Sequence, residues 1–99
     1  MKHTLRSDNI RTMESGFRVW LDDKLLDPKP SQKVCNHSPD GFNWGYHGSG
    51  PSQLALAIVL KLTGKAGDYQ EFKRAVIANI PGGPFEIEFE YPLKKEKEV

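Results

Sequence analysis

Apolar and polar residues alternate in two parts of this chain. Phe17, Val19 and Leu21 are interleaved with Arg18, Trp20 and Asp22, and Phe85, Ile87, Phe89 and Tyr91 with Glu86, Glu88 and Glu90. A period of two marks a strand with one buried face. Asp22-Asp23 follows the first run and suits a tight turn, because Asp tolerates left-handed backbone. Lys24-Leu25-Leu26 would return as a second short strand, closed by Pro28 and Pro30. The pattern between these strands is helical. No charge interrupts Leu54 to Leu60, so a helix entered near Gly50-Pro51, with Ser49 or Gly50 as its cap, would be buried around most of its circumference. Gly64 or Gly67 would end it. Tyr69, Phe72, Val76 and Ile80 form the stripe of a second helix. Asp68 and Glu71 have the spacing of a capping box at its start, and Pro81-Gly82-Gly83-Pro84 stops it.

These elements predict an α+β fold: a small antiparallel sheet, made of the N-terminal hairpin plus the C-terminal strand, packed on a two-helix pair. The sequence divides into a loose, polar arm over 1–15, one domain over 16–92 and a charged tail over 93–99. Residues 27–41, with Pro28, Pro30, Pro39 and Gly41, read as an irregular connection of unusual length. Three glutamates side by side on the exposed face of the last strand repel one another, and Arg18 on a neighbouring strand would offset this.

Composition narrows the role. The chain of 99 residues carries 14 Lys and Arg against 13 Asp and Glu, a balance unlike the basic excess of a general nucleic-acid binder. No apolar run approaches the ~20 residues of a membrane span. The first residues lack the apolar stretch of a secretory signal, and a single cysteine, Cys35, permits no internal disulfide. The expected compartment is the cytoplasm. Asn36-His37-Ser38 matches a glycosylation sequon that has no role there.

Candidate chemistry centres on Tyr46-His47-Gly48-Ser49-Gly50-Pro51-Ser52-Gln53. A glycine-rich turn enters a helix whose first turn holds no acid, and backbone amides at such an end can hold an anion. Pro51 removes one amide, and those of Ser52 and Gln53 would remain. The turn lacks the Gly-Lys-Ser/Thr of a P-loop and the third glycine of a dinucleotide fingerprint. The alternative is a structural turn whose glycines let the helix approach the sheet. Phe42 and Trp44 read as core, whereas Tyr46 would keep its polar tip exposed. Cys35, His37, Asp40 and His47 lack the paired spacing of a zinc site, and Cys35 and His37 lie too close in sequence to face each other as a nucleophile pair. No metal, cofactor or catalytic residue is therefore expected. The glutamates read as the wet face of a strand or a contact for a basic partner.

Arg18-Val19-Trp20-Leu21-Asp22, Asn36-His37-Ser38-Pro39-Asp40-Gly41 and the run Phe42 to Ala57 resemble a family of small uncharacterised prokaryotic and phage proteins. That family shows R-V-W-L-D-G-K and N-H-S-P-x-G-F-x-W-G-Y-x-G-S-G-P-x-Q-L-A, and the likeness covers about residues 17–80. Asp23 departs from the family's usual glycine. The resemblance implies a compact accessory protein and assigns no activity.

The expected role is a non-enzymatic binding module, phage-encoded or cellular, holding an anionic or nucleotide-like ligand. Asn36, His37, Tyr46, His47, Gly48, Ser49, Gly50, Ser52 and Gln53 are the candidate contacts. The alternative is a protein–protein interaction module, such as a phage inhibitor of a host defence factor. Its contact surface would be the acidic strand or the 27–41 loop, with the glycine turn purely structural. The strand at 85–91, if a sheet edge, would also offer a route to a homodimer.

Overall fold

The last strand has its partner at the other end of the chain. A computed structural model describes residues 1–13 and 16–93. In it Phe85–Glu90 (β6) pairs antiparallel along its whole length with Lys2–Ser7 (β1). Trp20–Leu21 (β4) pairs with the other side of β1, and Lys24–Leu25 (β5) pairs with β4, giving the order β5-β4-β1-β6. Arg11–Thr12 (β2) and Gly16–Phe17 (β3) form a separate small ribbon. The fold is α+β with an antiparallel sheet, as the periodicities require.

Residues 2–7 are thus the centre of the sheet and not part of a loose arm. Leu5 is fully buried, while the inward Ser7 donates its hydroxyl to the Arg18 carbonyl at 2.5 Å. A strand with one large apolar residue is held by its neighbours and not by its own propensity. The pairing also corrects the expected partner of the glutamates. Lys2, Thr4 and Arg6 stand opposite Glu90, Glu88 and Glu86, whereas Arg18 pairs with Asp8. That contact is the largest influence on Asp8 and holds its carboxyl below the usual range. The expected charged tail falls, from Lys94 on, outside the described residues.

Asp22 and Asp23 both adopt left-handed backbone, with φ of 51° and 67°, and close the β4–β5 hairpin. The 27–41 connection is more regular than its prolines suggest, for Lys29–Val34 forms a short helix, α1. Pro28 and Pro30 sit at its start, where a missing N–H costs little, and Asp27 accepts the Lys29 N–H at 3.0 Å. Ser49–Thr63 (α2) is buried from Gly50 to Val59 and ends on Gly64 in left-handed geometry. Tyr69–Ala75 (α3) runs into a 3₁₀ turn, Ile77–Asn79. Asp68 occupies its cap position without making a side-chain cap; its carboxylate accepts the Tyr91 hydroxyl at 2.6 Å instead. Leu5, Leu21, Phe42, Trp44, Ile58, Phe72 and Phe89 belong to one core between sheet and helices. Phe72 meets Phe89 edge to face, with ring centroids 5.2 Å apart.

Candidate functional site

Helix α2 begins earlier than its proline suggests. Gly48 is the cap, so Ser49, Gly50 and Pro51 are its first three residues. The Ser52 N–H already donates to the Gly48 carbonyl at 3.0 Å, and the side chains of Ser52 and Gln53 lie in the interior. The amides open at this end are therefore those of Ser49 and Gly50, not those of Ser52 and Gln53. No side chain caps the helix, and no acid lies in its first turn.

In front of this end lies a polar cleft of about 200 Å³. Ser49 and Gly50 form its floor, with Tyr46, Asn43, Ser38 and Asp40 around it and Arg11 at one side. The glycines make the geometry. A Cβ on Gly50 would stand 2.6 Å from the Asn43 Cβ and 3.2 Å from the Tyr46 hydroxyl, and one on Gly48 would strike the Tyr46 ring. Tyr46 thus lies across the turn, 46% exposed, with its hydroxyl beside the helix end. Phe42 and Trp44 are core, as expected.

Arg11 reaches the cleft through the small ribbon. Its guanidinium carbon lies 5.3 Å from the centroid of the Phe17 ring opposite it. Gly16, with φ of 68°, bridges Phe42 so closely that a Cβ there would fall 2.5 Å from the Asp40 carbonyl oxygen. Only glycine permits that approach, which fixes the ribbon, and Arg11 with it, against the cleft.

The structure brings together only part of the expected set. Tyr46, Ser49 and Gly50 line the cleft, and Gly48 supports Tyr46. Ser52 and Gln53 face inward. Gln53, at 0% exposure, spends its whole amide on α1 and the loop that follows it: Oε1 accepts the N–H of His37 at 2.7 Å and of Ser38 at 2.9 Å. Its Nε2 donates to the Ser31 hydroxyl at 2.8 Å and the Cys35 carbonyl at 3.1 Å. His37 turns to Tyr69, sharing a hydrogen bond of 2.8 Å. Asn36 and His47 are exposed, and neither lines the cleft. Ser38, from the N-H-S-P motif, lines the cleft as well, and Arg11 and Asn43 join it without having been expected there. Arg11 lay in the supposed arm, and the one local signal was Gly16, which closes the short ribbon. Among the described residues no group of three or more His, Cys, Asp or Glu side chains is placed to hold a metal ion. No helix there is long and apolar enough to cross a membrane.

Fold and cleft together define a small α+β domain with a polar recess at the start of its buried helix. A family of unknown function (DUF6166) matches residues 8–91, and the chain belongs to that family. No curated protein and no solved structure matches it.

Proposed function

We propose that this protein is a non-enzymatic binding module that takes one anionic group of phosphate or carboxylate size in the cleft before α2. The carrying observation is the uncapped, acid-free start of a 15-residue helix opening onto a cleft that Arg11 also lines. The partial positive charge of the helix end and the guanidinium would act on the same ligand, with the Ser49 and Gly50 amides and the Ser49 hydroxyl as donors. A cleft of about 200 Å³ is smaller than the ~300–1,000 Å³ sites that enclose drug-sized molecules, so the proposal covers the anionic group and not a whole nucleotide. Asp40 in the same lining adds an acceptor. It favours an anion that carries a donor, phosphate over sulfate. The single, exposed Cys35 fits a reducing cytoplasm as the place of action.

Thermal melting in phosphate, sulfate and acetate tests the proposal. A ligand at about ten times its Kd adds roughly 1.4 kcal/mol, which raises the melting temperature of a domain this size by several degrees. The expected order is phosphate above sulfate, with the gain lost in Arg11→Ala and reduced in Ser49→Ala. Equal shifts in wild type and Arg11→Ala would discard the reading. A protein-binding role is favoured by a different observation, the acidic edge of β6, which has no strand beside it among the described residues.

A further inference from the structure

Met1 and Tyr91 exchange backbone hydrogen bonds, the Met1 nitrogen donating to the Tyr91 carbonyl at 3.1 Å and the Tyr91 N–H to the Met1 carbonyl at 3.0 Å. Bonded and non-bonded pairs alternate along an antiparallel ladder. Phe89, Ile87 and Phe85, opposite His3, Leu5 and Ser7, therefore turn their N–H and C=O toward β1. Glu86, Glu88 and Glu90 turn theirs away from it. β6 ends the sheet, so this outer row has no strand beside it among the described residues.

The two faces of this edge differ. On one stand the three exposed glutamates. Their one ion pair among the described residues joins Glu90 to the N-terminal ammonium at 3.4 Å. On the other, β6 borders a groove of about 480 Å³ toward α3, with Val76, Ile80, Ile87, Phe89 and Leu93 in its lining together with Glu88 and Glu90. Charge alone could serve to keep an edge from pairing. It does not account for a groove of largely apolar lining beside the same strand, with Ile87 and Phe89 turned into it.

We propose that β6 is a docking edge for an extended segment of another protein, added as a fifth strand. The segment alternates basic residues, set across from Glu86, Glu88 and Glu90, with apolar residues that enter the groove beside Ile87 and Phe89. Outward N–H and C=O groups supply the main-chain bonds, and the two faces select the sequence. A second copy of this chain is a poor occupant, because pairing β6 with β6 sets glutamate against glutamate. The proposal stands apart from the anion cleft, whose lining shares no residue with this groove.

The test uses the full chain and labelled peptides of about nine residues, enough to cover a strand of this length. One peptide alternates Lys with Val, one has Glu in place of Lys, and one keeps the Lys pattern but carries N-methyl groups that remove its strand-pairing amides. The Lys peptide is expected to bind, more weakly in high salt, and to slow amide exchange at Glu86, Glu88 and Glu90. Glu86→Lys/Glu88→Lys is expected to weaken it roughly tenfold or more and to bind the Glu peptide instead. Glu86→Gln/Glu88→Gln gives the same direction with a smaller effect and serves if the charge swap fails to fold. Glu88→Pro removes an outward N–H without costing a bond to β1, and is also expected to abolish binding. No binding of the Lys peptide, equal binding of the N-methylated peptide, or equal binding by the charge variants overturns the proposal. So does a wild-type dimer that Glu88→Pro dissolves, since the edge then belongs to a second copy.

Discussion

The side-chain carbonyl of Gln53 accepts the backbone N–H of His37 at 2.7 Å, across a sequence separation of 16 residues. With its bonds to Ser38, Ser31 and Cys35, this one buried amide fastens the 35–38 loop and the end of α1 to α2. Gln53→Leu keeps the bulk and removes every partner. Two N–H groups, a carbonyl and the Ser31 hydroxyl oxygen would each lose a bond in a partly buried site, at about 1–3 kcal/mol each where water cannot reach. The expected loss is roughly 2–4 kcal/mol in urea unfolding, with faster amide exchange at His37 and Ser38. A loss below about 0.5 kcal/mol would show that water replaces the clamp.

Tyr91 is buried and donates to Asp68 at 2.6 Å. Burial first, and the bond to Asp68 second, push its pKa up to about 12 from an ordinary value of 10.0. The folded state then holds the proton more tightly than the unfolded one. This contribution is fully present below about pH 10 and is lost as pH rises from there toward 12. Urea midpoints between pH 9 and 11.5 should fall more steeply for wild type than for Tyr91→Phe, which has no proton to lose at this position. Parallel curves would remove Tyr91 as the source.

What was legible in the sequence was whatever a residue's own periodicity or backbone preference determines. β6 shows in its alternation, the β4–β5 turn in Asp22-Asp23, and the end of α2 in Gly64. β1 was hidden because two of its inward positions are His3 and Ser7, whose partners Asp22 and Arg18 come from distant parts of the chain. The cleft was half legible for the same reason. The glycines mark the helix start, but Arg11 depends on the close approach of Gly16 to Asp40 and Phe42, which no local pattern records. Gln53 looked like an open amide donor because its burial comes from α1 and the loop packed over it, not from its neighbours in sequence.

Acid should loosen the sheet through Asp22. Its burial raises the carboxyl pKa, but hydrogen bonds from His3 and the Thr4 N–H outweigh that and hold it below the ordinary 3.8. A lowered folded-state pKa means stability that is present above about pH 4 and is lost as pH falls through the folded value. Asp8, lowered by Arg18, adds to the same window. Asp22→Asn retains a residue that tolerates left-handed backbone. Its stability should be lower at pH 6 and change less between pH 4 and 2, as read from unfolding midpoints. An unchanged acid slope in Asp8→Asn/Asp22→Asn would assign acid sensitivity to other carboxylates.

Gly50 separates packing from ligand binding at the helix start. Its added Cβ would stand 2.6 Å from the Asn43 Cβ, a distance that forces the 43–46 segment to move. Gly50→Ala is helically favourable by roughly 1 kcal/mol in an open position, yet here overpacking of about 1–3 kcal/mol opposes it. The expected outcome is a net loss of stability of about 1 kcal/mol, together with a weaker phosphate response, because Tyr46 and Asn43 leave their places around the cleft. Ser49→Ala makes no such clash and should leave stability within about 0.5 kcal/mol of wild type while still reducing the response. If Gly50→Ala is instead more stable than wild type, the approach of Asn43 to the helix is not tight, and the cleft loses the wall that shapes it.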